Sequence, residues 1–103
     1  MESKKKILIL IPAYNEEGSV GKVVEEVHTH FPQADVLVVN DGSTDLTSEI
    51  AKSREADVLD LPFNLGIGGA MQTGHQHAYE KGYDIAIQVD GGSEFCSDFE
   101  EGC

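Results

Sequence analysis

Val36-Leu37-Val38-Val39 runs without a break into Asn40-Asp41-Gly42-Ser43-Thr44-Asp45. Four aliphatic residues in a row, three of them β-branched, suit a strand covered on both faces, as in a parallel α/β sheet, and not the alternating pattern of a half-wet strand. The polar turn that follows lies where open α/β sheets put their ligand loops, at the carboxyl end of a strand. An acid at position 41 can accept from a base or a ribose, and it would repel a bare phosphate. The segment therefore hints at a nucleotide site that reads the base end and needs a cation for the phosphates.

The remainder of the chain alternates in the same way. Ile7–Ile11 is an aliphatic strand ending at Pro12. Val20, Val23, Val24, Val27 and Phe31 then recur at i, i+3, i+4, i+7 and i+11, one face of a helix that Pro32 closes. Asn15 is expected to cap it, with Glu16 and Glu17 in its first turn. After the strand Val36–Val39, one of Ser43, Thr44 and Asp45 can cap a shorter helix bearing Leu46, Ile50 and Ala51. Asp57–Leu61 reads as a third strand and Gly68–Lys81 as a third helix, with Gly82 as its C′ residue. Ile85–Val89 is a fourth strand. The order β-α-β-α-β-α-β predicts an α/β fold, a parallel Rossmann-like sheet with helices on both faces. Ala70, Gly74 and Ala78 form a small-residue stripe on the third helix. Glycine inside a helix costs roughly 1 kcal/mol relative to alanine, so close packing is the expected reason for Gly74.

Composition narrows the partners. Nineteen acidic residues against seven basic ones give a net charge of −12, and no basic stripe exists to neutralise a nucleic-acid backbone. Lys4-Lys5-Lys6 is a solubilising flank before the first strand. No apolar run approaches a membrane span and no secretory segment follows Met1, so a cytoplasmic location is expected. Cys96 and Cys103, the two cysteines, sit at one end and are read as free thiols. His28/His30 and His75/His77 are spaced i, i+2, which on a helix points to nearly opposite faces. They are read as surface histidines and not as metal clamps.

In a parallel sheet the loops Pro12–Glu17, Asn40–Asp45 and Gln88–Gly92 all leave at the carboxyl ends, which brings three carboxylate-bearing loops together. Tyr14, Glu16 and Asp41 suit a planar base and its ring N–H. Asp90 would meet a divalent cation bridging phosphates, because hard cations take oxygen ligands. Ordinary turn and cap chemistry uses the same residue types and explains any one loop alone. Asn64-Leu65-Gly66-Ile67-Gly68-Gly69-Ala70 fits neither the dinucleotide fingerprint nor the P-loop. Its glycines either offer backbone N–H groups to an anion or only make a tight turn and close packing.

Pro12-Ala13-Tyr14-Asn15-Glu16-Glu17, Asn40-Asp41-Gly42-Ser43-Thr44-Asp45, Asn64-Leu65-Gly66 and Gln88-Val89-Asp90-Gly91, in this order, resemble the N-terminal half of family 2 glycosyltransferases of the GT-A fold. The likeness covers about residues 5 to 91 and is strongest to the branch that includes dolichyl- and undecaprenyl-phosphate sugar transferases. The resemblance implies that Pro12, Ala13, Tyr14, Glu16 and Asp41 surround the base and ribose of a UDP- or GDP-sugar, with Gly66 and Gly68 beside the nucleotide. It implies that Asp90 is the first acid of an Asp-x-Asp motif holding Mg²⁺ or Mn²⁺. It also divides the chain into a nucleotide-diphospho-sugar-binding half-domain, 1–91, and a divergent acidic tail, 92–103, expected to be poorly ordered.

Gly92 stands where the second acid of that motif is expected, which weakens the metal site. The acceptor-binding half, with its general base, has no counterpart in the sequence, so no catalytic residue is assigned. The expectation is a donor-binding half of an inverting transferase, truncated before the acceptor half. A non-catalytic nucleotide-binding or interaction remnant, self-associating through an exposed sheet edge at the fourth strand, is the alternative.

Overall fold

The computed structural model describes residues 5–89. Seven elements follow one another: β1 (Ile7–Ala13), α1 (Val20–His30), β2 (Asp35–Asn40), α2 (Thr47–Ser53), β3 (Asp57–Asp60), α3 (Gly66–Glu80) and β4 (Ile85–Gln88). All pairings are parallel, and the strand order is β3-β2-β1-β4. The apolar runs thus take the two central places, where both faces are covered, and the short strands take the edges.

Successive side chains of a strand point to opposite faces. Ile9, Ile11, Val36 and Val38 pack against Val20, Val23, Val24 and Val27 of α1 and Ala51 of α2. Leu8, Leu10, Leu37 and Val39 pack against Ala70, Met71 and Ala78 of α3. One sheet therefore carries two helices on one face and one on the other. The small-residue stripe explains how α3 comes so close: a Cβ on Gly74 would stand 3.1 Å from Cγ2 of Val39 and 3.3 Å from Cδ2 of Leu10.

β1 runs two residues beyond the expected Ile11, through Pro12 to Ala13. Leu10 turns its carbonyl to β4, where it accepts the Val89 N–H at 2.8 Å, and Ala13 turns its carbonyl to the Asp41 N–H beyond β2 at 2.9 Å. Pro12, two residues on from Leu10, shares the β4-facing orientation. Its missing N–H therefore removes no bond to β2.

At the opposite end of the sheet, the Tyr83 hydroxyl donates to Oδ2 of Asp35 at 2.5 Å, and the Lys6 ammonium sits 4.5 Å from the Tyr83 ring centre. Partial burial, this hydrogen bond and the charges of Asp35 and Asp57 push the Tyr83 hydroxyl up to about 12.

Several expectations are corrected. Asn15 is not the cap of α1. It sits at φ 52°, in the left-handed region, and the helix begins after Ser19 with no acid in its first turn. α3 begins at Gly66, two residues before the expected Gly68, because the left-handed Gly66 (φ 84°) starts the helix directly from Leu65. The histidines are not all surface groups: His28 and His77 are half-buried, and Nε2 of His28 is buried with no hydrogen-bond partner among the described residues. No described helix is long and apolar enough to cross a membrane.

Candidate functional site

The β1–α1 loop and the β2–α2 loop are laced to each other. The Asn15 N–H donates to Oγ of Ser43 at 2.8 Å, and Oδ1 of Asn15 accepts the Thr44 N–H at 2.8 Å. The Glu16 N–H donates to Oγ1 of Thr47 at 2.9 Å, the Glu17 N–H to Oδ2 of Asp45 at 3.2 Å, and the Leu46 N–H to Oε1 of Glu17 at 3.1 Å. Asn15 tolerates its left-handed backbone because asparagine is among the few residues that adopt it readily. The short polar residues that read as turn formers thus satisfy one another across two loops.

Asp45 stands two residues before α2, ahead of the N-cap position at Leu46, and its side chain still takes the first N–H of the helix. Oδ1 accepts the Thr47 N–H at 3.0 Å and also the Thr47 hydroxyl. Desolvation works to raise the Asp45 carboxyl, but the bonds from the Thr47 hydroxyl and N–H and from the Glu17 N–H outweigh it. The carboxyl is held below its usual range. Thr47 itself is fully buried, its oxygen donating to Asp45 and accepting from Glu16. Thr47→Val keeps the shape and leaves the Glu16 N–H without its partner, so a loss of about 1–3 kcal/mol is expected in urea unfolding. Thr47→Ser should recover most of it. Equal midpoints for the two variants would show that the hydroxyl carries none of the loop's stability.

Asp41 connects the β2 loop to the start of α3. Its carboxylate accepts the Leu65 N–H at 2.7 Å through Oδ1 and the Gly66 N–H at 2.9 Å through Oδ2, and Nδ2 of Asn64 donates to its carbonyl at 3.2 Å. Of the two readings of the glycine-rich segment, the anion-binding one is met from within the chain: the anion is a side chain of the protein.

A cleft of about 290 Å³ opens at the carboxyl ends of β1 and β2, beside the start of α3. Pro12, Ala13, Tyr14, Glu16, Asp41 and Gly66 all line it, six of the seven residues assigned to nucleotide binding from the sequence. Tyr14 is half exposed at the rim, and Oε1 of Glu16 accepts the Ser19 hydroxyl at 3.0 Å. Gly68, the seventh, does not line the cleft; a Cβ added there would meet no atom within 4 Å. Asn64, Ile67 and Ala70 complete the wall. None of the three had been assigned a contact from the sequence, since nothing in an apolar–glycine segment says which residues turn toward a partner. Larger hollows lie elsewhere among the described residues. One, of about 700 Å³, is between the C-terminal ends of α1 and α2, and one, of about 380 Å³, is by Lys6, Asp57 and Tyr83.

Asp90 and Gly92 lie outside the described residues, as do Cys96, Cys103 and the acidic tail. Among the described residues, no group of three or more His, Cys, Asp or Glu side chains is arranged to hold a metal ion.

Comparison with known proteins agrees with this fold. The chain is 36% identical to the undecaprenyl-phosphate mannosyltransferase of Micrococcus luteus, over 82% of its own length and 37% of that protein's. It is 33% identical to the UDP-N-acetylglucosamine–dolichyl-phosphate N-acetylglucosaminyltransferase of Methanococcus voltae, over 91% of its length and 44% of the relative's. It therefore spans less than half of either relative. Among solved structures, it superimposes on the glucosyl-3-phosphoglycerate synthase of Mycobacterium tuberculosis in complex with Mn²⁺, UDP-glucose and phosphoglyceric acid. The TM-score is 0.70 at 25% identity, covering 84% of this chain and 33% of that one. A second structure of that synthase gives a TM-score of 0.73 at 23% identity, over 87% and 36% of the two chains, a likeness of fold. The family profile described as glycosyl transferase family 2 matches residues 8–90, most of the chain. The chain belongs to glycosyl transferase family 2.

Proposed function

We propose that this chain is the donor-binding half of an inverting sugar transferase, and that its cleft takes the nucleoside end of a UDP- or GDP-sugar. The observation that carries this reading is the convergence of Pro12, Ala13, Tyr14, Glu16, Asp41 and Gly66 on a single cleft at the carboxyl ends of the central strands. Open α/β sheets bind ligands in that place. The half-exposed Tyr14 ring offers a stacking face for a base. Glu16 spends one carboxylate oxygen on Ser19 and keeps Oε2 to accept from a ribose hydroxyl or a ring N–H. The superimposed synthase was solved with Mn²⁺ and UDP-glucose, which supports a nucleotide-sugar as the class of ligand.

Mg²⁺ or Mn²⁺ held by Asp90 would neutralise the departing diphosphate. Gly92 leaves that site one carboxylate short, so the cation is expected to add little to affinity. The general base belongs to an acceptor-binding half.

Titration calorimetry of the 103-residue chain with UDP and with GDP, each with and without Mn²⁺, tests the reading. Heat of binding is expected with one of the two nucleotides, changing little when Mn²⁺ is omitted. Tyr14→Ala should weaken that binding by about 5- to 100-fold, the range that loss of one base–aromatic stack covers. Absence of heat with both nucleotides in both conditions would sink the proposal. A strong Mn²⁺ requirement would overturn the view that Gly92 impairs the cation site.

A further inference from the structure

We propose that Ser19 is a positioning residue: it holds the Glu16 carboxylate at the cleft instead of capping its own helix. The inference rests on the nucleotide reading of the cleft. Glu16 lines that cleft, and its backbone is fixed on both sides. Its N–H donates to Oγ1 of Thr47 at 2.9 Å, and its carbonyl accepts the N–H groups of Ser19 and Val20 at 2.9 and 2.8 Å. These bonds place the residue but leave its side-chain torsions free. The carboxylate is held separately: Oε1 accepts the Ser19 hydroxyl at 3.0 Å, and Oε2 has no partner among the described residues.

Serine at the head of a helix ordinarily turns its oxygen onto the N–H of the second or third helical residue, and that bond supports the helix. Ser19 stands at the N-cap position of α1 and makes no such bond. Its hydroxyl goes back to Glu16, three residues earlier and outside the helix. α1 is left without a side-chain cap and with no acid in its first turn to meet its dipole. The helix does without a local stabiliser, and the group that gains is a carboxylate at the cleft. With Oε1 pinned, Oε2 stands ready to accept from a ribose hydroxyl or a ring N–H. Such a contact is strong when the acceptor is held in advance, because an unheld glutamate gives up rotamer freedom on binding. Thr47 places the backbone of Glu16 and Ser19 its carboxylate, so the two hydroxyls act on different parts of one residue.

Calorimetry of the 103-residue chain with UDP and with GDP, on Ser19→Ala, Ser19→Thr and Glu16→Ala variants, tests the assignment. Ser19→Ala should weaken the nucleotide that the parent binds by about three- to tenfold, part of the rotamer freedom of a glutamate. Ser19→Thr keeps the hydroxyl and should stay within about twofold of the parent. In the Glu16→Ala background, Ser19→Ala should change nothing further. Unchanged affinity in Ser19→Ala, or the same loss with Glu16 absent, would overturn the proposal and leave the bond a feature of the loop alone. NMR of the nucleotide-free chain gives a second readout. Vicinal couplings should place the Glu16 side chain in one rotamer in the parent and average over several in Ser19→Ala. Equal couplings in the two proteins would also overturn the proposal. If the parent binds neither nucleotide, the reading of the cleft fails together with the purpose given to Ser19, and the couplings still decide whether Ser19 holds Glu16.

Discussion

Replacing Gly42 with alanine is expected to destabilise the protein by about 2–5 kcal/mol, a large part of what a domain of this size has. Two costs combine. Gly42 sits at φ 77°, where a Cβ costs roughly 1–2 kcal/mol against the following carbonyl. The added Cβ would also stand 2.6 Å from the Asn64 nitrogen and 2.7 Å from the Phe63 carbonyl carbon. Both are backbone atoms, which cannot swing aside as a flexible side chain would. The natural control is Gly68→Ala, in a helix and facing open space, where the change should be neutral or stabilising by up to about 1 kcal/mol. Urea midpoints for the two variants check the pair; a Gly42→Ala protein within about 1 kcal/mol of the parent would mean that the Phe63–Asn64 segment yields easily.

The second large effect lies on the α3 face of the sheet. Leu10→Ala removes a fully buried side chain from a central strand, and about 2–5 kcal/mol is expected to go with it. Gly74→Ala alone should also destabilise, since its new methyl would press on Val39 and on the Leu10 methyl groups at 3.3 and 3.4 Å. In the Leu10→Ala background the Leu10 part of that pressure is gone, only the Val39 contact remains, and the methyl occupies part of the cavity. The double variant should therefore be more stable than the sum of the singles predicts, by about 1 kcal/mol. A strictly additive cycle, measured by denaturant unfolding, would show that α3 and β1 are not packed as tightly at Gly74 as the distances indicate.

The fold was legible because its strongest signals are periodic and local. Uninterrupted aliphatic runs mark the two central strands, the i, i+3, i+4 valines mark α1, and the small-residue stripe marks the close approach of α3. The cleft was legible for a different reason: parallel strands send all their carboxyl-end loops to one side, so Tyr14, Glu16 and Asp41 had to converge once the strands were placed. What stayed hidden is non-local. Asn15 has the composition of a helix cap, and only the presence of Ser43 and Thr44 opposite it explains its left-handed backbone. The partners of the Asp41 carboxylate lie 24 and 25 residues further on, at Leu65 and Gly66. The demand for glycine at position 42 comes from Phe63 and Asn64 passing overhead, and no pattern near Gly42 records it.

The two walls of the cleft are fastened very differently. On the Tyr14–Glu16 side, six cross-loop hydrogen bonds tie residues 15–17 to residues 43–47. On the α3 side, the turn at Leu65 and Gly66 is anchored by a single carboxylate. A set of bonds that shares its load fails only in concert, whereas a single anchor can let go alone. The Tyr14–Glu16 face therefore behaves as a fixed jaw and the start of α3 as the adjustable one.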